Sequence, residues 1–324
     1  MPFVEKLEVS YKSIEAATLH TKRVNIFVGE PNTGKSNLLE ALALFSVSAA
    51  THVQRITRTQ QVADLFYDHE ITTSIGLSIN GTFGWTLSFD KQRSRFDLGI
   101  NKPGGPRVTT HLPPTLNPNQ WPEFPDSPLR YYIFRHLPER VTGRQYGFLE
   151  PPYGDNLALL LYSNKRFRES VSSIFRSKGF RLEVRPHEAE ILVSKEVDDV
   201  LYSYRFQSIS ETLQRIVFYK AILETNEQAT LILDEPEANT FPFYTKYLAE
   251  RIALDSSNQF FITTHNPYVL MSIIEKTPRQ DLAVFVTRMK DYRTQFSLVD
   301  EKGLSEMLDL SMDVFLNLER FFRD

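Results

Sequence analysis

An eight-residue motif near the amino terminus constrains the fold more than any other feature of the sequence. Its residues are Gly29, Glu30, Pro31, Asn32, Thr33, Gly34, Lys35 and Ser36, which match G-x-x-x-x-G-K-[ST]. An apolar run (24–28) precedes the motif, and a helical pattern with Leu38, Leu42 and Phe45 on one face follows it. A strand, this loop and a helix in that order predict a phosphate-binding loop for ATP. Backbone N–H groups cradle the phosphates, Lys35 reaches the β and γ oxygens, and the Ser36 hydroxyl binds Mg²⁺.

A second apolar run ends in two carboxylates. Residues 230–233 precede Asp234 and Glu235, and Pro236 then ends the strand. At the carboxyl end of a strand beside the phosphate loop, Asp234 would hold Mg²⁺ directly or through water, and Glu235 would polarise the attacking water. By itself, an apolar strand that ends in Asp-Glu is about as often a strand that enters an ordinary solvated turn as it is part of a metal site. The assignment therefore depends on its pairing with the phosphate loop.

A third apolar run leads through two threonines to His265, 31 residues after Asp234. This interval has room for one crossover helix (243–254), so we expect the two strand ends to lie side by side. A histidine at that place can donate a hydrogen bond to the γ-phosphate and sense its loss. The alternative is a capping or solvated histidine.

The three segments together resemble one known family. GEPNTGKSNLLEAL, LILDEPEANTFP and FITTHNPYVL are similar to the phosphate-loop, Walker B and switch-histidine segments of ABC-superfamily ATPases, in the branch of SMC, RecF and OLD-like proteins. The continuation that begins at Asn37 favours this branch over transporter subunits, and Asn37 is included among the expected nucleotide-binding residues. The resemblance covers residues 1–50 and 205–300 well and the middle poorly.

The resemblance implies an α/β fold, a P-loop ATPase head of the RecF-like ABC type. Its parts would be a mixed sheet, an antiparallel β-subdomain and a helical lobe. We expect residues 1–134 and 226–324 to form a discontinuous lobe I, and residues 135–225 to form lobe II with the signature segment. Within lobe I, residues 101–128 hold eight of the 18 prolines. Because proline sustains neither a helix nor a central strand, this segment is expected to be a loop.

The family also implies how two heads would meet. A serine just before Walker B caps a helix and offers its N-terminus to the γ-phosphate bound by a second subunit, so ATP would hold a homodimer together. Residues 207–215 occupy this place, although the expected glycine is missing. Either Ser208 or Ser210 could contact the phosphate, and Ser210 is a good N-cap for the following helix.

One further segment of the family differs in this chain, and one further residue of the family has more than one candidate here. Where the related ATPases carry histidines in an E-A-H-L-H-P segment, this chain has Glu-Ala-Asn-Thr-Phe-Pro at 237–242, so communication between subunits is expected to differ. The lid glutamine of the family could be any of three residues, namely Gln54, Gln60 and Gln61.

The rest of the chain yields coarser predictions. The turn Asn80-Gly81 predicts a β-hairpin between the runs 71–79 and 83–89. The alternation of helix and strand from 210 to 275 predicts a parallel sheet with crossover helices. The other expected elements are strands at 3–11, 95–100, 130–134, 282–286 and 294–299, a helical stretch at 155–178, two or three strands at 180–205, and a last helix with a stripe of Phe315, Leu318 and Phe322 that packs onto the sheet.

Composition narrows the classes of protein and of site. The absence of cysteine excludes disulfides and thiolate zinc sites. No window of 18 residues is both uncharged and predominantly apolar, and no signal peptide is seen, so we expect a cytoplasmic protein without an integral membrane segment. The net charge is −3, but one stretch is basic. Its basic residues are Lys165, Arg166, Arg168, Arg176, Lys178, Arg181 and Arg185, against Glu169 and Glu183.

We therefore expect an ATPase that dimerises head-to-head on ATP and acts with DNA or a nuclease partner in repair or anti-phage defence. The basic stretch, with Lys91, Arg93 and Arg95, could contact nucleic acid, or could be an ordinary solvated surface. About 60 residues follow His265, fewer than the nuclease domain of OLD proteins needs, so we expect a stand-alone head. The alternatives are the nucleotide-binding subunit of a membrane transporter and a nucleotide-sensing scaffold.

Overall fold

The computed structural model describes residues 4–46, 51–115, 121–122, 124, 127–136 and 147–322. Parts of the predicted proline-rich loop (101–128) and of the predicted lobe II (135–225) lie outside these residues. In chain order the strands are β1 (Lys6–Tyr11), β2 (Ile14–His20), β3 (Val24–Gly29), β4 (Ile75–Ile79), β5 (Phe83–Asp90), β6 (Arg95–Asn101), β7 (Val108–Leu112), β8 (Leu129–Tyr132), β9 (Arg181–Arg185), β10 (Glu190–Val197), β11 (Val200–Arg205), β12 (Thr230–Asp234), β13 (Gln259–Thr263), β14 (Leu282–Lys290) and β15 (Arg293–Leu298). The α-helices are α1 (Lys35–Ala43), α2 (Thr51–Thr57), α3 (Leu157–Ser163), α4 (Lys165–Arg176), α5 (Glu211–Thr225), α6 (Pro242–Leu254), α7 (Pro267–Lys276) and α8 (Glu301–Leu310).

A mixed sheet with the order β15-β14-β3-β13-β12-β8 carries the predicted motifs. Its strands are parallel except for β15, which forms an antiparallel hairpin with β14. All six residues of β3 are buried, as expected for a parallel strand covered on both faces. Asp234 of β12 lies opposite Thr263 of β13, so the two strand ends are neighbours. The predicted parallel sheet with crossover helices is confirmed, and with it the α/β fold class.

A second sheet is antiparallel, in the order β2-β1-β4-β5-β6-β7. The predicted hairpin joins β4 and β5, and both Asn80 and Gly81 have the positive φ that such a two-residue turn requires. Sequence analysis did not predict β2. The loop prediction for 101–128 was wrong at Val108–Leu112, because these five residues lack proline and pair with β6 at the edge of the sheet.

Helix α1 lies between the two sheets. Its apolar residues Leu38 and Leu42 belong to one buried cluster with Phe27 and Phe261 of the mixed sheet and Trp85 of the antiparallel sheet. The Trp85 indole also donates a hydrogen bond to the Ala41 carbonyl, at 3.2 Å. The helix that follows the phosphate-binding loop is thus fixed from both sides.

The other face of the mixed sheet is covered by α3 to α7 and by a three-stranded antiparallel sheet with the order β11-β10-β9. The predicted last helix was wrong in place, because α8 ends at Leu310 and the stripe residues lie in or beside two 3₁₀ turns, 311–316 and 318–321. Their packing was predicted correctly, since Leu318 is buried and Phe315 and Phe322 pack against the same core. Within the described residues, no helix is long and apolar enough to cross a membrane.

Candidate functional site

The motif 29–36 forms a tight loop between β3 and α1. Asn32 and Gly34 adopt left-handed backbone conformations, with φ of 60° and 87°. At Gly34 a Cβ atom would collide with the Thr294 side chain and lie 2.8 Å from Ser13 Oγ, so the position has no room for a side chain. At Gly29 a Cβ would collide with Thr287. Close approach of β14 and β15 therefore requires both glycines of the motif.

The Lys35 side chain folds back into this loop. Its ammonium group donates hydrogen bonds to the carbonyl oxygens of Gly29 (3.0 Å) and Glu30 (2.7 Å). Burial lowers the pKa of Lys35 to about 8, although the nearby charges of Glu235 and Asp234 act in the opposite direction. The ammonium also lies 3.4 Å from the Thr33 hydroxyl, so its hydrogen-bond partners are neutral, and a phosphate would be a favourable charged partner for it.

A hydroxyl at the start of α1 and a carboxylate at the end of β12 lie close together. The Ser36 hydroxyl lies 3.4 Å from Oδ1 of Asp234, and the Thr263 hydroxyl donates to the same carboxylate oxygen. Hydroxyl and carboxylate oxygens suit Mg²⁺, which commonly takes one or two protein ligands and completes its shell with phosphate and water. No group of three or more His, Asp or Glu among the described residues could hold a metal without such help. The donor set therefore fits a Mg²⁺ that arrives with a nucleotide.

Glu235 and His265 lie at the ends of the neighbouring strands β12 and β13. The Glu235 backbone has a positive φ of 44°, and its N–H donates to both the carbonyl and the hydroxyl of Thr263 (3.2 and 3.1 Å). His265 Nε2 lies 3.4 Å from Glu235 Oε1. Burial, and then the charge of Lys35, lower the pKa of His265, so the imidazole is neutral near pH 7. The pair is half-exposed and open to water.

Glu237 is a buried carboxyl that the sequence analysis missed. Only 6% of the residue is exposed, the Thr264 hydroxyl donates to its Oε1, and its Oε2 has no hydrogen-bond partner in the described part of the chain. Burial raises the pKa of Glu237 to about 7. The sequence signal was a second acid two residues after Glu235, but no apolar periodicity there indicates that it is inside.

The structure places the remaining predicted site residues at the start of α5, in a 3₁₀ turn before it and in or directly after the loop 29–36. Ser210 caps α5, accepting from the Leu213 N–H at 3.4 Å, while Ser208 ends a short 3₁₀ turn, and both serines are exposed. The Asn37 amide donates to Ser13 Oγ (2.8 Å), so this side chain braces the loop against the β1–β2 turn. Glu30, Pro31 and Asn32 are exposed, and Thr33 is buried.

The segment after α2 contributes a basic side chain whose charge acts together with Asp234. Arg58 follows α2, and its guanidinium pairs with the buried Glu40 of α1 at 2.5 Å. The Asp234 charge also acts on Arg58. Sequence analysis considered only the glutamines of this region. Of these, Gln61 caps the short 3₁₀ helix Val62–Leu65, and Gln60 is exposed.

The basic stretch is partly neutralised by neighbouring acids. Lys165 pairs with Glu169 (3.8 Å), and Arg181 pairs with Glu196 of the adjacent strand (3.0 Å). Arg185 contacts two acids, Glu183 and Glu188. Such exposed pairs contribute little to stability, but they reduce the positive potential of the surface.

Comparison with known proteins agrees with this geometry. Residues 83–272 match the family described as "AAA domain, putative AbiEii toxin, Type IV TA system". An SMC head bound to the C-winged helix domain of ScpA is similar over 94% of this chain and 100% of that one, with 15% identity and a TM-score of 0.53. An Smc head domain with an extended coiled coil, bound to the C-terminal domain of ScpA from Pyrococcus furiosus, has 14% identity and a TM-score of 0.50, and the match covers 95% and 99% of the two chains. No curated protein matches the sequence. The predicted ABC/SMC-type P-loop ATPase head is confirmed as the fold.

Proposed function

Since this chain belongs to the family of AAA domains described as putative AbiEii toxin, Type IV TA system, we propose that it binds ATP with Mg²⁺ and hydrolyses it to ADP and phosphate. One observation carries the proposal. The loop after β3 and the ends of β12 and β13 bring the Lys35 ammonium, the Ser36–Asp234 oxygen pair (3.4 Å) and the Glu235–His265 pair (3.4 Å) to one edge of the mixed sheet. This edge is where ligands bind in open α/β sheets.

In the proposed complex the loop 29–36 surrounds the phosphates with backbone N–H groups. Lys35 exchanges its carbonyl partners for β and γ oxygens, and Asn37 keeps the loop in shape through Ser13. Ser36 and Asp234 hold Mg²⁺, which neutralises phosphate charge when bound. Positioning and charge stabilisation then supply most of the catalysis.

Glu235 is the proposed group that orients and polarises the attacking water. Its side chain is 48% exposed, so water reaches it, and its backbone is fixed by two hydrogen bonds to Thr263. The neutral imidazole of His265 would donate from Nε2 either to Glu235, which lies 3.4 Å away, or to a γ-phosphate bound at this edge of the sheet. Loss of the γ-phosphate would leave Glu235 as its partner. This exchange is the proposed switch.

We also propose that ATP joins two heads through this edge. Exposed aromatic side chains lie at the starts of the two helices that follow β12 and β13: Phe241 and Phe243 are 65% and 70% exposed, and Tyr268 is 52% exposed. Exposed apolar groups of this kind mark interaction surfaces. Ser210, at the N-terminus of α5, is the proposed signature serine, since the end of that helix favours a phosphate of the second subunit. The division into lobe I (1–134, 226–324) and lobe II (135–225) is part of this proposal.

The work driven by the cycle is proposed to involve a partner, either DNA or a nuclease, in repair or defence. The family description names a toxin system, and the two SMC heads are bound to ScpA. Arg176 and Lys178 at the end of α4 are exposed and available to phosphates. A gel shift with duplex DNA tests this part. A shift that weakens with salt supports DNA as the partner. If no shift occurs at low salt, the DNA alternative is contradicted and a protein partner remains.

Nucleotide binding is tested by titrating ATP into the purified chain with and without Mg²⁺. We expect Lys35→Ala to weaken binding at least tenfold, because it removes the buried cation, and Lys246→Ala, on the exposed face of α6, to leave binding unchanged. Equal affinities of the two variants would contradict the assigned site.

A further inference from the structure

The buried carboxyl of Glu237 is an expensive group for its position. Its Oε2 atom has no hydrogen-bond partner among the residues that the structure describes, and only 6% of the residue is exposed. Burial raises the pKa of this carboxyl, and the charge of Glu235 acts in the same direction. An apolar side chain of similar size would avoid this desolvation cost. Stability alone therefore does not account for a carboxyl here, and an unsatisfied buried group of this kind points to another role.

The carboxyl holds the residue next to the proposed switch histidine. Its Oε1 atom accepts a hydrogen bond from the Thr264 hydroxyl. The same hydroxyl oxygen accepts from the backbone N–H of Asn266, at 3.0 Å. The N–H of His265 also lowers the pKa of this carboxyl, against the larger effect of burial. His265 thus lies between two residues that one hydroxyl joins to Glu237.

Residues 263–266, which we call the switch segment, are also fixed from other directions. Thr264 is fully buried, and its N–H donates to the Phe27 carbonyl of β3, at 3.3 Å. The Asn266 side chain caps α7. The backbone on both sides of His265 is therefore tied to well-packed elements, and the Glu237 contact joins it to the turn after β12.

That turn, residues 235–240, is called the Walker B turn below. Glu235 has a positive φ of 44°, which is unfavourable for a residue with a side chain, so neighbouring contacts must hold it. Its N–H donates to Thr263. Two residues further along, the Glu237 carbonyl accepts from the Thr240 N–H at 3.1 Å, while its carboxyl accepts from Thr264. The Walker B turn and the switch segment are thus joined at two successive positions.

The imidazole of His265 has weaker contacts than its backbone has. Its Nε2 atom lies 3.4 Å from Glu235 Oε1, longer than most hydrogen bonds between nitrogen and oxygen. The ring of Phe315 lies 6.5 Å away, measured between ring centroids. The direction of the imidazole therefore depends on the backbone that carries it, and a shift of that backbone would change its distance from Glu235.

We propose that Glu237 is a positioning residue of the nucleotide site, which acts through Thr264 to set His265 against Glu235. The inference rests on the proposed hydrolysis of ATP at this edge of the sheet, and it adds a role for the second carboxyl of the Walker B turn. Glu237 contacts neither nucleotide nor attacking water in this account. A misplacement of about 1 Å near the reacting atoms can cost about a hundredfold in rate, so a residue of this kind affects turnover from a distance.

Two substitutions of Glu237 separate positioning from stability. Glutamine keeps an oxygen for the Thr264 hydroxyl and removes the charge, whereas methionine has a similar length and offers no such oxygen. We expect Glu237→Met to bind ATP as the unchanged chain does and to release phosphate about tenfold more slowly, and Glu237→Gln to stay within about threefold of the unchanged rate. At about pH 8 the methionine variant should be at least as stable as the unchanged chain, because it removes a buried charge.

Other results with Glu237→Met would contradict this role. Turnover equal to that of the unchanged chain would overturn the proposal. A loss of turnover that comes with matching losses of ATP affinity and of stability would overturn it as well, because Glu237 would then only support the fold.

Thr264→Val removes the other partner of the contact and keeps its shape. We expect this variant to lose at least as much turnover as Glu237→Met, and the double variant to lose no more than Thr264→Val alone, since both changes break one contact. Thr277→Val is the matched control and should leave turnover unchanged, because Thr277 is a buried threonine at the other end of α7 whose hydroxyl has no partner among the described residues. Additive losses in the double variant would contradict the coupling.

NMR of the imidazole groups without nucleotide gives a readout that does not depend on hydrolysis. The chain has seven histidines, and the signal of His265 is the one that His265→Asn removes. We expect Glu237→Met and Thr264→Val to move this signal towards that of the exposed His187, and Thr277→Val to leave it in place. A His265 signal that neither change moves would overturn the proposal. Because no nucleotide is present, this result tests the positioning separately from the proposed hydrolysis, which Glu235→Gln tests.

Discussion

The His265 imidazole lies 3.4 Å from the Glu235 carboxylate, measured from Nε2 to Oε1. The two residues are 30 positions apart in the chain, and the register that sets Asp234 opposite Thr263 brings them together. This contact joins the proposed water-orienting group to the proposed phosphate sensor. It is therefore the relationship that mutations should probe first.

Removing the imidazole should slow turnover more than it weakens ATP binding. For His265→Asn we expect the rate of phosphate release at saturating ATP to fall at least tenfold, because Glu235 loses its donor and the γ-phosphate loses a contact. His187→Asn, an exposed histidine in the β9–β10 turn, is the control. Unchanged turnover with weaker binding would mean that His265 only helps to hold the nucleotide.

ATP affinity should depend on the protonation of Lys35. Because burial lowers the pKa of Lys35 to about 8, the ammonium loses its proton above that pH, and the dissociation constant for ATP should rise by up to about tenfold per pH unit. Lys35→Arg keeps the charge at high pH and should remove this dependence, with a penalty for the larger side chain. Affinity that is flat from about pH 7 to 10 would contradict a buried lysine at the phosphates.

Glu237 should make the folded chain less stable as pH rises. Its pKa is about 7 in the folded chain and near 4.5 otherwise, so the folded state holds a proton that the unfolded state releases. The contribution of Glu237 to the free energy of unfolding is fully present below about pH 4.5. It decreases as the pH rises to about 7. Urea unfolding across that interval should show a smaller loss for Glu237→Gln than for the unchanged chain. The exposed Glu275→Gln is the control and should behave as the unchanged chain does.

The two signature candidates should differ in their effect on assembly. We expect Ser210→Arg to abolish the ATP-dependent association of heads and Ser208→Arg to leave most of it, because only Ser210 caps α5. Loss of the cap also lowers stability by about 1 kcal/mol, so thermal unfolding is measured alongside. The reverse order of effects would assign the contact to Ser208.

Much of the site follows from the sequence because each element carries a local signal. Three neighbouring strand ends are predicted from the pattern Gly29 to Ser36, the apolar strand before Asp234 and the helical spacing between Asp234 and His265. The parallel pairing of β3, β13 and β12 brings these strand ends together. The edge strand β7 was not predicted. The proline count was taken over the whole segment 101–128, and it does not show that five consecutive residues within the segment lack proline. The last helix was misplaced because Phe315 and Phe322 pack equally well from 3₁₀ turns.

Other features depend on tertiary contacts that no local pattern records. Glu237 is buried although the sequence around it is polar, and the hydroxyl of Thr264, which follows β13, donates to its carboxyl. Arg58 is held by Glu40 of another helix, an interaction between residues 18 positions apart. The exposure of β11 likewise follows from which strands and helices cover the three-stranded sheet, whereas its sequence resembles that of a buried strand.

The central claim is that Glu235 promotes attack of water on a nucleotide held by Lys35, and phosphate release by Glu235→Gln tests it most directly. We expect the variant to bind ATP as tightly as the unchanged chain and to release phosphate at least a hundredfold more slowly, with ATP-joined heads accumulating on size exclusion. Glu275→Gln should show unchanged turnover. Turnover of Glu235→Gln equal to that of the unchanged chain would contradict the account.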